Sequence, residues 1–388
     1  MEQVAAPTAN PSPGTYGSQQ SVILACSTVG AEVWYTLDGS DPRTSETRQE
    51  YTDPITISAT IIIKTYAAKA GMKDSAVKSF NYVIEEADNY SRSFPVMAYD
   101  PVNNRYLMIY FKHNALGDYN LYGSLVAANG DYIGSEFPIR SSQEFSNPDY
   151  NYKPDVAYDS INRVFLVVLN EGALIESKLN WDIYGQIISV NGEKVGDAFA
   201  ITSLNDGKSQ ITPYLDFDNI NSRFLVAYKH NVNDTPYRDD IHGCFVSIGG
   251  ENPVVGEDMV IYTHSSNSQS LNDVVFNGEN KFMVPIRSST SDYLVPVNAG
   301  TGEVGEPYYF GYTATKPSLA FDNVNQRFLA AWFSGNDVYG GFITQDGSKD
   351  GNPFKLSDSE IDQYRNVSVA YAGETFYVAW DHIRLRIK

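Results

Sequence analysis

The chain alternates apolar and polar residues in short runs, and Gly, Pro, Asn and Asp stand between the runs. This period of two predicts half-buried strands, because successive side chains of a strand point to opposite faces. No long segment carries the 3.6-residue apolar period of a helix. In residues 1–84 the runs SVILACST, AEVWYTLDG, PITISAT, TIIIKTYAAKAG and AVKSFNYVI each read as one strand bounded by turn residues. Six or seven short strands in a segment of about 80 residues predict a small β-sandwich.

Over residues 85–388 the pattern repeats itself. YDPVNNRYLMIY begins at Tyr99, YDSINRVFLVVL at Tyr158, FDNINSRFLVAY at Phe217 and FDNVNQRFLAAW at Phe321. The position after the first aromatic recurs at Asp100, Asp159, Asp218 and Asn277, about 59 residues apart, and then at the shorter steps of Asp322 and Ala372. Each unit has an apolar segment such as PDVAYD, an Asp-x-x-Asn turn, a second apolar segment, a polar loop, a third segment such as WDIYGQIISVNG and a closing GDAFAITS. Four strands per repeat predict a β-propeller in which each sheet covers its neighbour; a solenoid, the competing architecture, has shorter units.

First strands starting at Pro95, Pro154, Pro213, Asn272, Pro317 and Val367 predict six four-stranded blades. The last unit stops at its third strand, which leaves a bare edge. The stretch from Tyr82 to Ala87 is expected to supply the missing outer strand; a five-bladed ring or a chain cut within a blade are the alternatives. The fold class is therefore all-β, a fibronectin-like sandwich followed by a propeller.

Composition narrows the partners. With 28 Tyr and 19 Phe the chain suits pleated, half-buried surfaces. A net charge of -19, from 28 basic and 47 acidic residues, repels nucleic acid and anionic membranes and leaves glycans or proteins as partners. No run of about 18 apolar residues exists, so no membrane insertion is expected. The only cysteines, Cys26 and Cys244, fall in different predicted domains and are not expected to pair. No cofactor is expected. YTLDGSDP reads as a turn, since Asp38, Ser40 and Asp41 are too few oxygen ligands for calcium. KHN at His113 and His230 reads as part of the repeat in nonadjacent blades, not as a metal site.

The repeated phrase reads as architecture. Asp100, Asp159, Asp218 and Asp322, with Asn104, Asn162, Asn221 and Asn325, sit where short polar side chains bond the local backbone. Arg105, Arg223 and Arg327 are expected to pack their stems on the aromatic neighbour and meet the turn carboxylate.

Two resemblances add to this. PSPGTYGSQQSVILACSTVGAEVWYTLDGSDPRTS followed by YTDPITISATIIIKTYAAKAGMKDSAVKSFNYVI resembles the chitobiase/β-hexosaminidase C-terminal domain family over residues 5–84. That resemblance implies an accessory sandwich, found in secreted and surface proteins of bacteria, with no catalytic motif. DIYGQIISVNG at Asp182 resembles a D-I-Y-G repeat of large exported bacterial proteins, which implies an extracellular or cell-surface location with any export signal removed.

Ligands of a propeller meet the loops that join strand two to three and strand four to the next blade. Here those loops are KHNALGDYN, SSQEFSNPDYNYK, NEGALIESKLNW, KHNVNDTPYRDD and SDSEIDQYR. Aromatic rings among amides and carboxylates suit a sugar, whose apolar face stacks while its hydroxyls hydrogen-bond. Tyr150, Tyr152, Trp181 and Tyr237 are the candidate ligand-binding residues of a noncatalytic adhesion module that takes a glycan or a cell-surface protein. The alternative is a glycoside-processing enzyme using Asp155, Asp216 and Asp273 on the inner strands as paired carboxylates. Asp216 stands where the other units have Ala98, Ala157, Val275, Ala320 and Ala370. Against the enzyme, the chain has no Ser-x-Asp-x-Gly-x-x-Trp box, Ser-His-Asp order, phosphate loop or zinc spacing. A structural spacer or assembly subunit is the third reading.

Overall fold

The computed structural model describes the chain except residues 1, 18, 85–89, 114–118, 142–152, 176–177, 203–207, 235–236, 250–251, 266–267, 289–290, 310–314, 336, 358–366, 373 and 381–388. The described residues are all-β and contain no helix. The chain divides into two compact units, Met1–Tyr90 and Ser91–Lys388.

The described residues of Met1–Tyr90 form two sheets. One has the order Thr8–Asn10, Gln20–Ala25, Ile55–Ile57; the other has the order Gly14–Tyr16, Lys78–Ile84, Ile61–Ala68, Glu32–Thr36, Gln49–Glu50. Strand alternation sends Val22, Leu24, Ile55 and Ile57 of the first sheet, and Val33, Ile63, Ala67 and Tyr82 of the second, into one core. The YTLDGSDP stretch is a turn. Asp38 accepts hydrogen bonds from Ser40 N at 3.0 Å and Thr47 Oγ1 at 2.7 Å, while Asp41 pairs with Arg43.

The strand Lys78–Ile84 corrects one expectation. Residues 82–84 pair in parallel with residues 14–16 on one edge, and Tyr82 faces Ile61 on the other. Tyr82 is fully buried and its hydroxyl donates to Pro11 O at 2.7 Å. Tyr82, with both edges occupied, cannot serve in the outer strand of another sheet; Val83 and Ile84 are paired on one edge, and residues 85–87 of that expectation lie outside the described residues.

The described residues of Ser91–Lys388 form six antiparallel sheets, numbered 1 to 6 in chain order. Sheets 1, 2 and 5 have four strands paired in sequence order, as the four-segment grammar predicts. In sheet 3 the fourth strand is split into Pro253–Val255 and Met259–Tyr262, and in sheet 4 the first is split into Gln269–Leu271 and Val275–Phe276. Sheet 6 shows two strands, Val367–Ala372 and Thr375–Trp380, among the described residues.

The repeat has a packing meaning. In every sheet the first aromatic of the phrase meets an aromatic of the second strand: Tyr99 with Tyr106, Tyr158 with Phe165, Phe217 with Phe224, Phe276 with Phe282, Phe321 with Phe328 and Tyr371 with Phe376, all with ring centroids 4.8–5.1 Å apart. Such pairs add about 0.5–1.5 kcal/mol beyond the area they bury. Buried clusters then join sheet 1 to 2, 2 to 3, 3 to 4, 4 to 5 and 5 to 6. Sheet 1 turns a barer face away from sheet 2, with Met97 46% and Tyr99 42% exposed.

The glycine of the third strand is explained by close approach. A Cβ built on Gly123, Gly185 or Gly340 would lie 2.7, 2.5 or 2.9 Å from the ring of Phe137, Phe199 or Phe354, each on the fourth strand of its sheet. In sheet 3 the same place over Gly243 is taken by Ile261 at 2.8 Å. The D-I-Y-G pattern is thus a seat for a fourth-strand side chain.

Candidate functional site

The hairpin between the first two strands is built alike in sheets 1, 2, 3 and 5. Asp159 Oδ1 accepts from Ile161 N and Asn162 N, both at 2.8 Å, and its Oδ2 accepts from Asn162 Nδ2 at 2.7 Å. Asp218 and Asp322 repeat this with Asn221 and Asn325. Around Asp100 the partner is Asn103, at 2.6 Å from Oδ2, not the expected Asn104. Asn104 has φ 51° and accepts from the Tyr99 hydroxyl at 2.7 Å. The residue immediately before the second strand takes a left-handed backbone, which Arg163, Ser222 and Gln326 share.

Arg105 and Arg327 lie 3.7 and 3.9 Å from Asp100 and Asp322, as expected. Arg223 instead reaches the carbonyls of Ala299 and Gly300 in sheet 4 and stacks 3.7 Å over Phe245. The hairpins therefore tie each turn to itself and, through Arg223 or through Asn162 with Ile248 O at 2.7 Å, to the following sheet.

The first strands of all six sheets line one cavity of about 660 Å³. Asp155, Asp216 and Asp273 stand in its wall on sheets 2, 3 and 4. Each carboxylate accepts the N–H of the residue after it and an N–H of the next sheet. Asp155 takes Val156 N at 2.9 Å and Leu215 N at 3.0 Å; Asp216 takes Phe217 N at 2.8 Å and Phe276 N at 2.7 Å; Asp273 takes Val274 N and Leu319 N, both at 3.0 Å. Ser318 continues the series on sheet 5, donating to Asp273 at 3.1 Å and accepting from Val369 N of sheet 6 at 3.2 Å. The free edge of an inner strand exposes donors with no ladder partner. These side chains satisfy them and join neighbouring sheets.

Although each of the three keeps some surface on the cavity, protein surrounds it on the other sides, and that burial raises its pKa. Asp155 is pushed up to about 8, opposed by its N–H bonds and reinforced by Asp273 and Asp216. Asp216 rises to about 6 and Asp273 to about 7, again by burial against their N–H bonds. Burial also raises the Tyr214 hydroxyl, with Asp155 and Asp273 adding to the effect. The cluster can hold and release protons near neutrality.

At the opposite ends of the sheets from the Asp turns lie the hairpins between second and third strands. Trp181 sits opposite Gly172 there, half-buried against the cluster that joins sheets 1 and 2. Arg140 of sheet 1 pairs with Glu171 of sheet 2 and stacks 5.6 Å from the Tyr184 ring. The backbone of Tyr237 opens the strand Tyr237–Ile248 opposite Asp234, and its side chain lies outside the described residues, as do Tyr150 and Tyr152 entirely. The structure therefore places Trp181 near one sheet junction and brings Asp155, Asp216 and Asp273 onto one cavity.

His113 ends the strand Arg105–His113. His230 meets partners within sheet 3: its Nδ1 lies 3.0 Å from Gln210 Nε2, and its ring stacks on His242 at 4.5 Å. His242 Nδ1 lies 2.8 Å from Asp258, which also accepts from the Tyr228 hydroxyl. Among the described residues no group of three or more His, Cys, Asp or Glu is placed to hold a metal ion. This polar layer of sheet 3 was missed in the sequence; its only signal was the polar KHN following an apolar strand.

A comparison with curated protein sequences found no match. Among solved structures, the chain is similar to a protein of unknown function from Dyadobacter fermentans, at 9% identity and a TM-score of 0.54, over 76% of this chain and 91% of that one. This likeness shows a shared fold alone. An ACO/RPE65 chimera is similar at 8% identity and a TM-score of 0.43, over 76% of this chain and 69% of that one. Residues 11–79 match the family model of the chitobiase/beta-hexosaminidase C-terminal domain, which bears out the resemblance read in that stretch of sequence.

Proposed function

We propose that Ser91–Lys388 is a six-bladed β-propeller, that Met1–Tyr90 is a fibronectin-like sandwich, and that the chain is a noncatalytic, extracellular binding module for a glycan or a cell-surface protein. The ligand meets the hairpin ends that carry Trp181. The carbohydrate context comes from the family matched by residues 11–79. The propeller reading rests on six inner strands around one cavity and on the aromatic pair they share.

The observation that carries the noncatalytic reading is the use of the inner carboxylates. Both oxygens of Asp155, Asp216 and Asp273 accept main-chain N–H groups from two sheets, a structural duty repeated by Ser318. A general acid and base are singular and face a substrate. The raised pKa values of the same three groups favour the second reading, a glycoside-processing enzyme.

One experiment separates the readings. Glycan-array binding, followed by titration of each hit, is expected to show binding without release of reducing ends. Trp181→Ala is expected to weaken it roughly tenfold, the effect of losing about 1.4 kcal/mol of stacking. Asp216→Asn is expected to leave binding unchanged. Hydrolysis that disappears in Asp216→Asn would establish the enzyme instead.

A further inference from the structure

Between sheets 2 and 3, at the hairpin ends, the apolar interface gives way to buried polar side chains. Leu166 and Val168 point into the cluster joining these sheets, and Asn170 is the next residue on that face of the strand. Across from it, Phe224, Val226 and Tyr228 point into the same cluster, and His230 is next on theirs. Gln210 opposes His230 in the ladder of sheet 3. On the sheet 2 side, Thr202 donates to Asp182 at 3.2 Å and accepts from Ile183 N at 2.8 Å.

Most groups in this layer are matched, and the exceptions are informative. Asn170 is 1% exposed, and neither atom of its amide has a hydrogen-bond partner. Gln210 is fully buried and donates through Nε2 to Lys208 O at 3.1 Å, which fixes the amide orientation and makes His230 Nδ1 an acceptor. That leaves Gln210 Oε1 without a partner. The place of Asn170 is held by Phe111, Lys229 and Phe333 in sheets 1, 3 and 5, so repetition does not account for an uncharged amide. Buried amides are rarely left unmatched, because they lose their bonds to water without replacement.

We propose that Asn170 and Gln210 form the floor of a ligand subsite between sheets 2 and 3, which takes a pair of adjacent hydroxyls from an uncharged sugar. The open groups are an NH2 donor and two carbonyl acceptors. Adjacent hydroxyls donate and accept side by side and can meet all three. A carboxylate or sulfate only accepts, so it would leave both carbonyls unmatched, and Asp182 and Asp258 nearby would repel it. The subsite lies one residue below the surface: Glu171 and Gly172, next along one strand, and Lys208 and Ser209, just before Gln210, are all half-exposed. This inference rests on the glycan reading above and sharpens it to neutral sugars.

The test titrates the full chain with neutral and with sialylated oligosaccharides, using wild type and Asn170→Leu. The wild type is expected to bind a neutral oligosaccharide, and Asn170→Leu to weaken it at least tenfold without lowering the melting temperature. In 15N spectra the Asn170 side-chain NH2 signals, assigned by their loss in the variant, are expected to shift when that sugar is added. Unchanged affinity in Asn170→Leu, or unshifted NH2 signals in a wild type that binds, overturns the subsite while leaving the glycan module standing; the amide then holds an ordered water. Exclusive binding of sialylated sugars overturns it too. A wild type that binds no sugar overturns both readings. Should Asn170→Leu fail to fold, Asn170→Ala takes its place in both the titration and the assignment.

Discussion

The aspartates of the hairpin turns and those of the cavity wall are one residue type meeting one kind of donor, yet their protons behave oppositely. Burial pushes Asp100 and Asp322 up, but it is outweighed in both: Asp100 is held below the ordinary carboxylate range and Asp322 at about 2. Their turns aim three N–H groups at each carboxylate, and an arginine stands within 4 Å. The Tyr158 hydroxyl of the next sheet also lies close to Asp100, without meeting hydrogen-bond geometry. In the cavity wall Asp155 and Asp216 have two N–H bonds each and Asp273 has the Ser318 hydroxyl as a third donor, and burial prevails over these bonds in all three. The balance between burial and the hydrogen bonds to the carboxylate decides the outcome.

Breaking the turn is expected to have the largest effect. Asp218→Ala leaves two backbone N–H groups and the Asn221 amide unmatched and is expected to cost about 3 kcal/mol in urea unfolding, whereas Asp218→Asn, which keeps an acceptor, costs about 1. Equal losses for the two variants would contradict the hydrogen-bond account. Next, Gly185→Val drives a side chain into the Phe199 ring and is expected to cost about 2 kcal/mol by overpacking. A neutral result would mean that the third-strand glycine is not a seat.

The smallest effect is on pH dependence. An unfolded aspartate titrates near 3.9. The folded pKa values of Asp155, Asp216 and Asp273 are higher, so between about pH 4 and 8 the folded state holds more protons than the unfolded one. Their contribution is therefore fully present below about pH 4 and is lost as the pH rises toward 8. Asp155→Asn, which cannot ionise, is expected to flatten this decline, while its NH2 leaves one of the two N–H donors without an acceptor at every pH. Thermal melts at pH 5 and pH 8 check it; a variant that loses stability equally at both would show that the charged form is the structural one.

Much of this was legible in the sequence because the determining contacts are local. The turn aspartates, the first strands and the alternation of the second strands all depend on partners within a few residues. The slip from Asn103 to Asn104 was avoidable: the Asp-x-x-Asn spacing shared by the four turns points to Asn103 in YDPVNN, and Asn104 fills the left-handed place that follows. Arg223 was misplaced for another reason, since its carbonyl partners come from a different sheet.

By itself the sequence determined that this protein is built of strands and that one phrase shapes its hairpins. Those features follow from residue periodicity and from hydrogen bonds closed over three or four positions. Only the tertiary structure decided that Tyr82 is paired on both edges within Met1–Tyr90. It also decided that three aspartates lock neighbouring sheets and that Asn170 and Gln210 face one buried seam. Pairing of strand edges and burial of a charge depend on segments tens of residues apart, and no local pattern encodes which of them will meet.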